Sequence, residues 1–178
     1  MRVMSRKLWV DTDPGVDDAY ALLLAARPGV ELVGVSSVGG NVGLAHTTRN
    51  ALQVLALTGQ HVPVHAGVDR PLLRPAPDAA FVHGADGLGE VALPAPTRAP
   101  ASEHAALALI DAARRHAGRL ELVALGPLSN LALALALEPR LADWLRRVVI
   151  MGGAVTGYGN TTPFAEFNVG YDPEAAAM

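Results

Sequence analysis

The chain lacks cysteine, has few aromatic residues and carries no surplus of positive charge. The absence of Cys from its 178 residues excludes disulfides, zinc–thiolate sites, iron–sulfur clusters and cysteine nucleophiles. Aromatic residues make up 4%, too few for a platform that stacks single-stranded nucleic acid. The net charge of −3, from 14 basic and 17 acidic residues, argues against nucleic acid or an anionic membrane as a partner. A small neutral ligand or a cation is favoured.

Long apolar runs are also missing. The N-terminal sequence MRVMSRKLWV passes directly into an acidic stretch, so it does not form a signal peptide. The richest apolar stretch, 122–137, is interrupted by Gly126 and Pro127 and is shorter than the ~20 residues that span a membrane. With 51% hydrophobic residues, the sequence predicts a soluble, cytoplasmic protein with one packed α/β domain over residues 1–178.

Short β-favouring segments alternate with amphipathic helical segments. The sequence predicts strands at 7–10, 30–38, 62–65, 120–125 and 148–151. It predicts helices at 17–26, 44–57, 102–116 and 128–137, with a long Pro- and Gly-rich connection at 67–100. This alternation is typical of right-handed βαβ units. We therefore expect an open, mostly parallel sheet with helices on both faces.

Four of the 17 acidic residues fall within eight positions, namely Asp11, Asp13, Asp17 and Asp18. They lie where the first strand ends and the first helix begins, and open parallel sheets bind ligands at that end of their strands. Asp17 and Asp18 also suit a helix start, as a cap and a first-turn acid, but this does not explain the other two. Crowded carboxylates repel one another unless a cation, protons or arginines compensate. The cluster therefore predicts a site for a hard divalent metal.

Two other kinds of site, a phosphatase centre and an EF-hand loop, also contain closely spaced aspartates. The Asp11-Thr12-Asp13 pattern loosely resembles that of haloacid-dehalogenase-like phosphatases. Such an enzyme needs a cation on the phosphate, whereas the single lysine, Lys7, lies at the other end of the strand. An EF-hand loop does not fit, because Gly15 and Val16 stand where it needs an oxygen ligand and a glycine. A metal-dependent phosphatase remains the less favoured alternative.

Six sequence blocks, in order along the chain, resemble those of the inosine–uridine-preferring nucleoside hydrolases. They are DTDPGVDDAYALLLAA, SSVGGNV, FVHGADGLG, ALGPLSNLALAL, VVIMGGAV and GNTTPFAEFNVGYDPEAA. Together they span nearly the whole chain, which is identified as a member of this family. Family chains continue well beyond the last block, into a segment with a further calcium-ligating aspartate and, in many members, a histidine that acts on the base. The resemblance implies a Rossmann-like core that is truncated at its C-terminus.

The resemblance also implies a role for each matching residue. Asp13 matches the carboxylate that binds calcium and takes a proton from the metal-held water. Asp18 and the main-chain carbonyl of Leu125 match further calcium ligands, and Asp11 matches a supporting acid that orders the cluster. The positions that match substrate-binding residues are Asp17, Asn41, His83, Met151, Asn160, Glu166 and Asn168.

The activity that the resemblance implies is calcium-dependent hydrolysis of the N-glycosidic bond of ribonucleosides, giving ribose and a free base. Family members are commonly dimers or tetramers, so a homo-oligomer is expected. The preference for purine or pyrimidine bases depends on loops that vary within the family, and the group that assists the leaving base also differs between members. Two alternatives stay open beside the phosphatase: a nonhydrolytic protein that binds nucleoside or ribose, and an inactive fragment.

Overall fold

The computed structural model describes residues 6–77 and 79–178, and a parallel sheet lies at its centre. Five strands form this sheet in the order β3-β2-β1-β4-β5. They are β1 Arg6–Thr12, β2 Val30–Ser37, β3 Val64–Ala66, β4 Leu120–Ala124 and β5 Leu145–Ile150. All four neighbouring pairs run parallel. The predicted α/β class with an open parallel sheet is confirmed.

Helices cover both faces of the sheet. They are α1 Val16–Ala25, α2 Leu44–Leu57, α3 Ala80–His83, α4 Ala105–Arg115, α5 Ser129–Leu137, α6 Leu141–Trp144, α7 Phe167–Tyr171 and α8 Pro173–Ala176. Successive side chains of β1 point to opposite faces: Val10 packs with α1 and α2, and Trp9 packs with α4 and α5. No helix among the described residues has the length and apolarity needed to cross a bilayer.

The sequence predicts the long helices more accurately than the short ones. Helix α2 has the predicted bounds, whereas α3, α6 and α7 were not predicted. Helices of four or five residues are too short to display an apolar period. Strand β5 begins at Leu145 rather than at 148. Its first residues include Arg146 and Arg147, which the exposed edge of the sheet accommodates.

The order of the strands places a crevice beside β1. The chain proceeds from β1 outward through β2 and β3, then crosses back so that β4 pairs with the other side of β1. Ligands of open α/β sheets bind at such a switch point, beyond the carboxyl ends of the strands. Asp11 and Thr12 end β1, while Leu125 directly follows β4. The fold therefore brings the aspartate turn and the β4–α5 turn to the same crevice.

Candidate active site

A cavity of about 210 Å³ lies at the carboxyl ends of β1 and β4. Its walls come from the turns after β1, β2 and β4, from α1, α3 and the start of α7, and from the segment between β5 and α7. It gathers the predicted site residues Asp13, Asp17, Asp18, Asn41, His83, Leu125, Met151, Asn160, Glu166 and Asn168. Asp11 does not line the cavity but is buried in β1, two positions before Asp13.

Asp13 is held by main-chain groups on several sides and is 1% exposed. Its Oδ2 accepts the N–H of Asn41 at 2.8 Å, and the Asn41 side chain donates to the Asp13 carbonyl at 3.0 Å. A Cβ on Gly40 would lie 2.1 Å from Oδ2, and one on Gly126 would lie 2.5 Å from Oδ1. Glycine is required at both positions because the main chain approaches the carboxylate so closely.

Asp18 points from the first turn of α1 back toward the end of β1. Its Oδ1 accepts the hydroxyl of Thr12 at 2.7 Å, and its Oδ2 accepts the Gly15 N–H at 3.1 Å. Gly15 is the N-cap residue, so the prediction that Asp17 caps this helix is wrong. Asp18, three residues after this cap, accepts the Gly15 N–H as in a capping box. Asp17 is exposed at the cavity wall.

Burial raises the pKa of three carboxyl groups. Burial raises the pKa of Asp13 well above its usual value, and the charge of Asp18 raises it further. Burial also raises the pKa of Asp18, and it raises that of Asp11 to about 6. Within residues 6–77 and 79–178, no ion pair joins a lysine or an arginine to any of the three. The cluster therefore has no lysine or arginine partner in the part of the chain that the structure describes, although His83 lies near Asp18 and opposes the rise in its pKa.

The oxygen atoms at the cavity floor suit a hard cation. The carboxylates of Asp13 and Asp18 and the residue Leu125, with its main-chain carbonyl, line the same space, and each oxygen can accept more than one bond. A cation there would offset the repulsion between the two buried acids. Among the described residues, no three His, Cys, Asp or Glu side chains are grouped to hold a metal. A calcium ion, which takes six to eight oxygens, would therefore also need water or substrate oxygens.

Asp11 belongs to a buried polar network beneath the cavity. Its Oδ1 accepts the hydroxyl of Ser36 and the Nδ2–H of Asn130, the latter at 2.8 Å. Ser36 in turn accepts the indole N–H of Trp9 at 2.8 Å. The other oxygen, Oδ2, is buried without a hydrogen-bond partner. The network joins β1, β2 and the start of α5 directly below Asp13.

The raised pKa of Asp11 predicts a pH-dependent stability in chelator. An unfolded aspartate titrates near pH 3.9, whereas the folded protein raises the pKa of Asp11 to about 6, so the folded state binds this proton more tightly. Protonated Asp11 therefore adds at most about 3 kcal/mol to the free energy of unfolding at low pH. This contribution is lost as the pH rises through about 6. Asp11→Asn removes this titration while keeping an oxygen for Ser36 and Asn130. We expect the Tm of the variant to match that of the wild type near pH 4 and to exceed it by a few degrees at pH 7.

Thermal unfolding followed by circular dichroism from pH 4 to pH 8 measures this difference. Asp111→Asn is the matched control, because Asp111 is a half-exposed acid paired with Arg115 on the surface of α4. If the Tm difference between Asp11→Asn and the wild type stays constant over this pH range, the raised pKa of Asp11 is contradicted.

The start of α7 holds two predicted site residues. Glu166 caps the helix, since Oε1 accepts the Asn168 N–H at 2.9 Å, and its Oε2 accepts the Gly153 N–H at 2.9 Å. The Asn168 amide donates to the Leu125 carbonyl at 2.6 Å and to the Met151 carbonyl at 3.1 Å. These bonds tie α7 to the turns that follow β4 and β5.

His83 ends α3 and is half-buried beside the N-terminus of α1. Its Nδ1 accepts the Val16 N–H at 3.4 Å, so in the neutral ring the hydrogen lies on Nε2. Across the cavity, Asn160 accepts the Phe167 N–H at 2.8 Å. Sequence reasoning missed several lining residues: Ala21, Ala79, Phe81, Val82, Thr161 and Phe167. Val82, Thr161 and Phe167 directly neighbour a predicted site residue, which is the one signal that could have found them.

Known proteins resemble this chain along nearly its whole length. A family model described as "Inosine-uridine preferring nucleoside hydrolase" matches residues 8–178. Uridine nucleosidase 1 of Arabidopsis thaliana is 44% identical over 173 residues, covering 96% of this chain and 52% of the relative. Non-specific ribonucleoside hydrolase RihC of Salmonella newport is 45% identical over 170 residues, covering 95% of this chain and 55% of the relative.

A solved structure extends the likeness to the fold. The purine-preferring ribonucleoside hydrolase from Gardnerella vaginalis superposes with a TM-score of 0.91 at 34% identity. The superposition covers 96% of this chain and 56% of that one. The chain thus spans about half the length of the curated relatives it matches.

Proposed function

Because this chain belongs to the inosine-uridine preferring nucleoside hydrolase family, we propose that its cavity binds a ribonucleoside and hydrolyses the N-glycosidic bond. The products are ribose and the free base. One observation carries the proposal: Asp13 is a buried carboxyl with a raised pKa, held between Gly40 and Gly126 at the switch point of the sheet. Such a carboxyl is suited to accept a proton from water near neutral pH.

We also propose that calcium binds at the cavity floor, on the carboxylates of Asp13 and Asp18 and on the Leu125 carbonyl. Two buried acids without a lysine or arginine partner among the described residues support this ligand set. When bound, calcium supplies Lewis-acid chemistry that polarises the oxygens of water and of sugar hydroxyl groups. Asn41 keeps one Asp13 oxygen oriented through its main-chain N–H.

In the proposed reaction, Asp13 takes a proton from a water molecule whose oxygen attacks the anomeric carbon of the ribose. The carbon–nitrogen bond breaks, and its electron pair leaves with the base, which takes up a proton. Positive charge develops on the sugar ring in the transition state. The carboxylates around the cavity stabilise this charge, because they are fixed before the reaction and need no reorganisation.

The remaining cavity residues supply contacts for the sugar and the base. Asp17 offers carboxylate acceptors for ribose hydroxyl groups, and Asn41, Asn160, Glu166 and Asn168 offer donors and acceptors for the rest of the sugar. Their shared position along one cavity supports these roles. His83 and Met151 are proposed to face the base.

Self-association is also part of the proposal. Edge strand β5 exposes Val148, Val149 and Ile150 by 40%, 44% and 47%. An exposed apolar edge strand pairs with another chain or with a further part of the same fold, and a homo-oligomer is one way to cover this strand.

Binding of a ribonucleoside without hydrolysis is the second candidate. It is favoured by the observation that no three acidic or histidine side chains are grouped for a metal in the described part of the chain. Calcium would then be held weakly, and the sugar contacts could persist without an activated water.

Release of ribose from inosine, uridine, adenosine and cytidine, measured with calcium present, tests the proposal. We expect equimolar ribose and base from at least one ribonucleoside. The corresponding 2′-deoxynucleoside should react about 100-fold more slowly or worse, because a site built for hydroxyl groups rejects a substrate that lacks one. Saturable binding without product would instead establish the second candidate, and phosphate release from an aryl phosphate would establish the phosphatase.

A further inference from the structure

One buried amide outside the cavity joins the aspartate turn to the segment that carries His83. Asn50 lies on α2 and is 2% exposed. Its Nδ2 donates to the Pro14 carbonyl at 3.1 Å and to the Asp86 carbonyl at 2.8 Å. Pro14 directly follows Asp13, and Asp86 lies three positions after His83. Both N–H groups of this amide are therefore used to hold two main-chain segments together.

The segment after His83 is tightly built where it meets this amide. A Cβ on Gly87 would lie 3.0 Å from Asn50 Nδ2 and 3.3 Å from the Pro14 carbonyl oxygen. The φ of Gly87 is +85°, a conformation that side chains disfavour. The main chain at Gly87 therefore lies close to the Asn50 amide and the Pro14 carbonyl, and the space between them leaves no room for a side chain.

Hydrogen bonds within the same segment lead back to His83. The Asp86 side chain accepts the N–H groups of Leu88 and Glu90 at 2.8 and 3.0 Å. The Gly89 N–H donates to the His83 carbonyl at 2.7 Å. Leu88 is 8% exposed and packs in the core beneath α1 and α2. A displacement of Asp86 would therefore displace His83 as well.

The His83 ring lies against the two residues that follow Pro14. Its Nδ1 faces the Val16 N–H, and a Cβ on Gly15 would lie only 2.8 Å from that nitrogen. Gly15 and Val16 directly follow Pro14, the residue that Asn50 holds. The main chain from Pro14 to Val16 therefore contacts the Asn50 amide at its first residue and the His83 imidazole at its last two residues.

We propose that Asn50 is a positioning residue for the proposed hydrolysis: its bonds to the Pro14 and Asp86 carbonyls fix His83 relative to Asp13. The inference rests on the proposed function, in which His83 faces the base. Asn50 does not itself line the cavity. Its effect on the reaction passes through His83.

The same helix provides a matched control. Gln53 lies three positions later on α2 and is 5% exposed. Its Nε2 donates to the carbonyls of Leu93 and Pro94 at 3.2 and 2.9 Å. Neither of these residues lines the cavity. Asn50→Leu and Gln53→Met each remove one buried amide that donates to two main-chain carbonyls. Asn50→Leu removes the bonds to Pro14 and Asp86, whereas Gln53→Met removes those to the 93–94 segment.

A double-mutant cycle with His83→Ala separates positioning from stability. We expect Asn50→Leu to lower kcat/KM for uridine by about 10-fold or more when His83 is present, and by less than about 2-fold in the His83→Ala background. Gln53→Met should have the same small effect in both backgrounds. An equal loss for Asn50→Leu with and without His83 would overturn the proposal.

Amide hydrogen exchange tests the link without any reference to activity. In folded Asn50→Leu, the Gly87 and Gly89 amides should exchange at least about 10-fold faster than in the wild type, whereas in Gln53→Met they should not. Unchanged exchange would overturn the positioning role. If Asn50→Leu does not fold, Asn50→Ser, which leaves space for water, is measured in the same way. A wild-type chain without hydrolysis overturns the proposed function, and the exchange result still decides whether Asn50 holds the His83 segment.

Discussion

Asp13→Asn should lower kcat/KM for ribonucleoside hydrolysis by about 10³-fold or more. Asparagine keeps the volume of the side chain and an oxygen that can accept the Asn41 N–H. It cannot accept a proton from water, and it removes one of the two negative charges that the proposed cation requires. Steady-state release of ribose from the preferred nucleoside measures the loss.

The stability of the same variant distinguishes lost chemistry from lost fold. Asp18 and burial both raise the pKa of Asp13, so neutralising Asp13 relieves repulsion in the metal-free protein. We therefore expect its Tm in chelator at pH 7 to equal or exceed that of the wild type. Asp143→Asn, an exposed acid in the first turn of α6, should change neither property. Near-wild-type hydrolysis by Asp13→Asn would contradict the assignment of the proton acceptor.

Gly40→Ala should reduce hydrolysis by about 100-fold, because small displacements of a catalytic group have effects of this size. The added methyl group would lie 2.1 Å from Asp13 Oδ2. The carboxylate or the main chain after β2 must therefore move. Since the sugar contacts on the α7 side of the cavity are left in place, kcat should fall more than KM rises.

Gly43→Ala is the control for this substitution. It lies in the same turn and caps α2 with φ −60°, and a Cβ there meets nothing within 4 Å. We expect its kinetics to match the wild type. Equal kinetics for Gly40→Ala and Gly43→Ala would show that the close approach to Asp13 does not matter for the reaction.

Periodicity and topology predicted most of the framework. The apolar pattern of 44–57 gave the bounds of α2, and the alternation of strands and helices led to the parallel sheet. The position of Asp13 beyond a strand end then followed from the general behaviour of such sheets. These features depend on local sequence patterns, so one amino-acid sequence is sufficient to predict them.

The details of the cavity depend on contacts that local sequence does not encode. Asn50 and Pro14 are 36 positions apart, and no period or spacing links them. The sequence predicts Asp17 as the N-cap of α1 because Asp is a common cap, whereas Gly15 is the N-cap and Asp18 accepts its N–H. Roles for residues such as Asn160 came from the family resemblance alone, because they lie in irregular loops where polar side chains are ordinary.

Calcium dependence of ribose release tests the central claim most directly. The purified chain is assayed with its preferred nucleoside in calcium, after chelation, and after calcium is restored. We predict release of ribose in calcium, a loss of at least about 100-fold in chelator, and recovery on restoration. Release that continues at the same rate in chelator would contradict the proposed site, and the absence of release from a folded sample in all three conditions would contradict hydrolysis itself.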